Sequence, residues 1–356
     1  MIAVVVGTRP EIVKMAPVIR AARHRGVPCR VLHTGQHYSF SMDGVFFEEL
    51  GLPPADVNLE VGSGSHVRQI GTILERLEPV FASEPPDWVL VEGDTNSVLA
   101  AALAAQKAGL RVGHVEAGLR SYDRRMPEEI NRILTDHLSE LLFAPTDTAR
   151  RTLAGEGVPE ARIRVTGNTV VDELERQRGR AEAAGVPERF GVTRGRYAVA
   201  TVHRGENVDD AARLRGILDG LSAVSRALDL PVLAALHPRT TARMQAVGLA
   251  AGVGVRALPP LSYLDFLGLH AAAALTLTDS GGLQEEACCL RVPCVVLRDT
   301  TERPEAVEVG AGMLAGADPA AITACARDMA ARSRDWPNPF GDGHAAERIL
   351  DALLTS

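Results

Sequence analysis

The sequence predicts an α/β protein made of two successive doubly wound units, each a parallel sheet with helices on both faces. Three observations predict it. The chain has 356 residues, too many for one core of ordinary size. Short apolar runs alternate with longer amphipathic ones, the rhythm of βαβ units. After a charge-rich stretch at 172–196, read as a helix and connection, the rhythm restarts. In the first half, strands are expected at Ile2–Val6, Cys29–His33, Trp88–Glu92, 111–116 and Leu141–Ala144, with one more ending at 166–168. Helices are expected at 11–25, 67–82 and 95–108, with Gly26 and Gly109 placed as C-terminal caps. In the second half, strands are expected at 197–202, 232–236, 255–258, 273–278 and 294–297. Helices are expected there at 211–227, 240–250, 263–270 and 283–290.

Composition narrows the class. Hydrophobic residues make up 46% and charged residues 23%, as in globular proteins. A net charge of −7 provides no global field for nucleic acid or anionic lipid. The apolar run Ile2–Val6 is too short for a signal segment or membrane span, and it suits a buried parallel strand. Five cysteines without a CxxC pair read as reduced thiols of a cytoplasmic protein.

Ligands of open α/β sheets sit beyond the carboxyl ends of strands, so a cleft between two such domains is the expected site. Unusual polar residues gather at those ends. In "TDSGGLQEEACC", a strand ends at 276–279 and a helix starts at Ser280-Gly281-Gly282. Free amides and the positive helix end there suit an anion, and glycines permit close approach. Glu286 lies at a depth suited to the two hydroxyls of a ribose. A nucleoside diphosphate fits this set; so does a plain turn with a capping serine and solvated glutamates. Gly7-Thr8-Arg9-Pro10-Glu11, with Lys14 a turn later, offers cations or an ordinary β–α turn. His203 and His237 end successive strands, and a charged loop runs from Arg298 to Glu305, with Arg303 in it.

The first half supplies acids. Asp94 follows strand 88–92, and Glu116 ends the next strand, so the two stand side by side at one sheet edge. An N-cap role explains Asp94 cheaply, whereas no cap explains Glu116. Glu128 follows Pro127 at a helix start, and Arg132 pairs with it at i,i+4. Crowded carboxylates without metal-ligand spacing point to acid–base work. Neither HExxH, a Cys/His cluster, GxGxxG nor GxxxxGK[ST] occurs, so neither zinc nor nicotinamide is called for.

The segments "GTRPEIVKMAPVI", "EGDTNS", "GHVEAGLRS", "PEEINR", "TGNTVVDEL", "TVHRGEN", "LTDSGGLQEEA" and "RDTTERPEA" occur in this order. Together they resemble the non-hydrolysing UDP-N-acetylglucosamine 2-epimerases, from residue 1 to about 315, and "NPFGDGHAAERIL" fits the same pattern. The resemblance implies a GT-B fold, with two Rossmann-like domains facing across a cleft and a homodimer. The expected domains are 1–168, with a C-terminal helix at 340–356 packing back on it, and 169–339. It implies reversible C2 epimerisation of a UDP-sugar by loss and return of UDP, with no cofactor. It assigns Ser280, Gly281, Gly282 and Arg9 to the diphosphate, with Lys14 and His203 nearby. Glu286 is assigned to the ribose, and Phe266 and the backbone near Leu261 to the uracil. Asp94, Glu116 and Glu128 become the catalytic acids, joined by His203. Arg132 supports Glu128, Arg303 lines the nucleotide pocket, and His237 helps order the cleft. "TGQHYSFSMDGVFFEEL", with Tyr38 after His37, departs from the bacterial pattern and resembles an archaeal-type branch. A hydrolysing epimerase and a GT-B glycosyltransferase are the alternative activities.

Overall fold

The structure, a computed structural model, describes residues 1–36, 46–259 and 261–356. The departure at His37 and Tyr38 lies outside the described residues. The chain divides into two compact units, Met1–Glu175 with Phe340–Ser356, and Arg176–Pro339.

The first unit runs β1 (Ile2–Val6), α1 (Arg9–His24), β2 (Cys29–His33), β3 (Val57–Asn58), α2 (His66–Ser83), β4 (Trp88–Glu92), α3 (Asn96–Lys107), β5 (Arg111–Val115), α4 (Pro127–Leu138), β6 (Leu141–Ala144), α5 (Asp147–Gly155) and β7 (Ile163–Val165). Its sheet is parallel, in the order β3-β2-β1-β4-β5-β6-β7. Every residue of β1, β4 and β6 is buried, which is why those runs are continuously apolar rather than alternating. The strand order reverses between β1 and β4, so the carboxyl ends of β1, β4 and β5 surround the switch point.

The second unit follows the boundary within α6 (Thr169–Ala183). It contains α7 (Val186–Arg189), β8 (Ala198–Thr201), α8 (Gly205–Val208), α9 (Ala211–Leu228), β9 (Val232–Ala234), α10 (Pro238–Ala246), β10 (Val255–Ala257), α11 (Tyr263–Ala271), β11 (Leu275–Thr278), α12 (Gly281–Cys289), β12 (Cys294–Val296), α13 (Pro304–Glu308), β13 (Gly312–Leu314) and α14 (Pro319–Ala331). Its parallel sheet has the order β10-β9-β8-β11-β12-β13, so the switch point lies between β8 and β11.

The last helix, α15 (Ala345–Thr355), belongs to the first unit. Its own N-cap residue, His344, makes no capping bond; the Asp172 carboxylate accepts instead from the amides of Ala345 and Ala346, at 3.1 and 2.9 Å. Arg25 at the end of α1 reaches Glu347 and Asp351, each at 2.6 Å.

Two local expectations change. The strand expected at 111–116 ends at Val115, because Glu116 takes the left-handed conformation with φ of 66°. The cap of α3 is Thr95, whose hydroxyl accepts from Val98 N at 3.4 Å, so Asp94 is not spent on capping. All five cysteines are free thiols. Among the described residues no helix is long and apolar enough to cross a membrane.

Candidate active site

At the first switch point the sheet brings together more carboxylates than the sequence reading singled out. Glu92 closes β4, and Glu116 stands just past the end of β5, whose Val115 pairs with Glu92. Lys14, one turn into α1, sits with its Nζ 3.1 Å from Glu92 Oε1 and also donates to Glu116 Oε2. All three are buried. Lys14 thus pairs with two acids, while the resemblance implies a place near the diphosphate. Asn168 Nδ2 donates to the same Glu116 oxygen at 3.0 Å, while its Oδ1 accepts from Val170 N at 3.0 Å.

Burial pushes the Glu92 carboxyl well above the usual carboxylate range; Lys14 opposes this, and the charges of Glu116 and Glu11 reinforce it. Glu11 is buried as well. Burial raises it to about 7, against hydrogen bonds from Thr95, Gly7 N and Thr8. The Gly7 and Thr8 bonds measure 2.6 and 3.0 Å, so Glu11 closes the β1–α1 turn. Burial thus raises two carboxyl groups of this cluster toward neutrality, as proton transfer near neutral pH requires.

Asp94 is half-buried and bound by the Arg132 guanidinium. Arg132 does not pair with Glu128 as the i,i+4 spacing suggested. Its ion partners are Asp94 and Glu129, the latter at 2.6 Å. Glu129 wins because it is the buried member of the pair. It also accepts from Ser121 N, Ser121 Oγ and Tyr122 N at 2.9 to 3.0 Å, bracing the loop before α4. Glu128 remains half-buried in the first turn of α4.

The second switch point holds the glycine turn. Ser280 caps α12, its hydroxyl accepting from Leu283 N at 3.4 Å. A methyl at Gly281 would lie 2.8 Å from Glu302 Oε1 and 3.6 Å from Arg303 Cζ; one at Gly282 would meet nothing within 4 Å among the described residues. Gly281 is thus required by packing, and Gly282 leaves an open face beside the helix N-terminus, the geometry of an anion cradle. Arg303 is buried against Glu285 at 2.5 Å. Buried Arg298 pairs with Glu302 and Glu206 at 2.5 and 3.0 Å, and Arg204 with Glu302 at 3.0 Å.

Asp279 was not assigned a role from sequence, yet it organises this end. It accepts from the amides of His203 and Arg204, from Asn207 Nδ2, and from His203 Nδ1 at 2.9 Å. Burial alone would raise its pKa, but the His203 charge and these hydrogen bonds bring it to about 2. His203 is half-exposed, held through Nδ1 by Asp279. Glu286 lies 3.6 Å from His270 Nδ1, and the Phe266 ring packs 5.7 Å from the His270 ring. Leu261 and Phe266 pack against the apolar cluster that includes Leu258 and Leu269. His237 is exposed and caps α10, its Nδ1 accepting from Arg239 N at 3.2 Å. In the first unit, the Arg9 guanidinium lies 4.3 Å from the Phe46 ring centroid. Glu92 and Asp279 carried no signal beyond lying at strand ends.

The chain is similar to known proteins. The sequence model of the UDP-N-acetylglucosamine 2-epimerase family matches residues 20–354. The chain is 46% identical to UDP-N-acetylglucosamine 2-epimerase of Methanocaldococcus jannaschii, over 99% of this chain and 98% of that one. It is 39% identical to UDP-2,3-diacetamido-2,3-dideoxy-D-glucuronate 2-epimerase of Pseudomonas aeruginosa, over 98% of each chain. The crystal structure of the M. jannaschii enzyme in complex with UDP-GlcNAc and UDP superposes with a TM-score of 0.95 at 46% identity, covering 100% of this chain and 99% of that one. Two parallel α/β sheets of this order are those of the GT-B class. The chain belongs to the UDP-N-acetylglucosamine 2-epimerase family.

Proposed function

We propose that the chain interconverts UDP-N-acetylglucosamine and UDP-N-acetylmannosamine by inverting C2 without hydrolysis. The C2 proton is not acidic, since no carbonyl is conjugated to it, so its removal must accompany departure of UDP from C1. A carboxylate takes the proton, the C2–H electrons form the C1=C2 bond, and the C1–O pair leaves on UDP. Protonation of the resulting 2-acetamidoglucal from the opposite face, with UDP returning to C1, gives the epimer. Asp94, Glu116 and Glu128 are the acids, and His203 joins them as a fourth proton-carrying group. Ser280, Gly281 and Gly282 hold the diphosphate with Arg9, and Arg303 fixes that turn. Glu286 binds the ribose, and Phe266 and Leu261 flank the base. Lys14 and Arg132 set the charge of Glu116 and Asp94, and His237 holds its loop through the α10 cap. No cofactor takes part.

The observation that carries this reading is the buried Glu92–Lys14–Glu116 group at the carboxyl ends of two adjacent strands. Crowded buried carboxyls around one ammonium are a setting suited to reversible proton transfer. Incubation with UDP-N-acetylglucosamine in D2O, followed by proton and phosphorus NMR, tests it. Deuterium at C2 and appearance of the mannosamine nucleotide support epimerisation. Free N-acetylmannosamine with UDP indicates a hydrolase instead, and an unlabelled C2 indicates a transferase. The P. aeruginosa relative makes the diacetamido-glucuronate nucleotide the second sugar to assay. Family resemblance supports a cytoplasmic homodimer, which analytical ultracentrifugation of the full chain tests.

A further inference from the structure

Buried His114, on β5, is bonded at both ring nitrogens. Its Nδ1 lies 2.7 Å from Asp136 Oδ1, and its Nε2 lies 2.8 Å from the Gly93 carbonyl oxygen. A carbonyl only accepts, so Nε2 must carry a hydrogen. An ionised carboxylate only accepts as well, so Nδ1 must carry one too. A neutral ring would aim a lone pair at one of the two oxygens in a fully buried place.

Asp136 has further partners that favour its ionised form. Its second oxygen accepts from Gly118 N at 3.2 Å and from Arg120 at 2.7 Å, and Arg120 forks onto Glu156 at 2.9 and 2.6 Å. Burial raises the Asp136 pKa, and the His114 bond and charge, with Arg120, more than reverse that. Charges then alternate along the row: His114 positive, Asp136 negative, Arg120 positive, Glu156 negative. The other ionisable groups nearby are spoken for, Arg132 by Asp94 and Glu129, and Lys14 by Glu92 and Glu116; His137 lies at the far end, 3.9 Å from Glu156.

This row fastens two turns. The Gly93 carbonyl belongs to the turn that presents Asp94, and Gly118 N to the turn that presents Glu116. Both turns use left-handed backbone, at Gly93 (φ 85°), Glu116 (φ 66°) and Gly118 (φ 85°), and the non-glycine position is costly unless its surroundings fix it. We propose that His114 donates from both ring nitrogens and is a positioning residue of the reaction, locking the Asp94 and Glu116 turns in register through Gly93 and Asp136. The inference rests on the function proposed above for those two acids.

The test uses the full chain labelled with 15N-histidine. Long-range proton–nitrogen spectra at pH 7.5, assigned with His114→Gln, are expected to show His114 with both nitrogens protonated. A neutral-ring pattern for His114 overturns the proposal. Asp136→Asn is nearly isosteric and can donate to Nδ1, which leaves the ring neutral. For this variant kcat and C2 exchange should fall about 100-fold, the scale of a small misplacement at a reacting centre. UDP affinity should stay within about threefold, since only an interaction serving the reaction is lost. Near wild-type kcat with a neutral His114 ring in that variant also overturns it. Absence of C2 exchange in the wild-type chain sinks the proposed function and the positioning role together, while the nitrogen spectra still decide the charge.

Discussion

Lys14 donates to Glu116 from inside the first unit, and the same ammonium lies 3.1 Å from Glu92, so one buried cation serves two buried carboxyls. That sharing makes the charge of the proposed base depend on its neighbours. It also makes the site costly to dismantle piecemeal.

Lys14→Met should therefore destabilise the chain by about 3–5 kcal/mol, the usual cost of leaving a buried partner unpaired. Denaturant unfolding measures it. The loss should be larger at pH 8 than at pH 5, because protonation neutralises the abandoned carboxylates. Equal losses at both values would show that Lys14 acts by packing alone.

Glu11 gives a second pH effect of definite sign. Its carboxyl ionises at about 7 in the folded chain against 4.5 ordinarily. Between those values the folded chain keeps a proton that the unfolded chain has lost, so stability falls as pH rises and the penalty is complete above about 7. The contribution is on the order of 3 kcal/mol. Asp279, held near 2, acts at lower pH and does not mask it. Unfolding free energies at pH 5 and pH 8 should differ less in Glu11→Gln than in the wild type.

The paired glycines should separate packing from binding. Gly281→Ala sets a methyl against Glu302, which Arg204 and Arg298 hold in place, and should cost about 1–3 kcal/mol of stability. Gly282→Ala meets open space, so stability should hold or rise by up to about 1 kcal/mol. UDP affinity of that variant should drop about tenfold, or 1.4 kcal/mol, by titration calorimetry. Unchanged affinity would remove Gly282 from the diphosphate site.

Much of this was legible in the sequence, for reasons that differ by element. β1, β4 and β6 were plain because strands buried on both faces must be apolar throughout. β3, two residues long, and α13, five residues long, have too few positions to show a period. Glu116 was found as an acid at a strand end, but its left-handed backbone was not, since nothing in its type announces it. Glu128 and Glu129 are adjacent and identical, and only tertiary burial decides which one Arg132 takes. Likewise Thr95 and Asp94 both suit a cap, and the pull of Arg132 on Asp94 settles the choice. The buried partners Glu92, Asp136 and Asp279 read as ordinary acids because their neighbours are remote in sequence.

The most direct test of the central claim is C2 exchange by Glu116→Gln in D2O. That variant keeps the side-chain shape and should still bind UDP, with deuterium incorporation from UDP-N-acetylglucosamine slowed by about 10²–10⁴, the range of general acid–base catalysis. Incorporation at the wild-type rate would contradict the account, because the C2 proton would then pass through some other group.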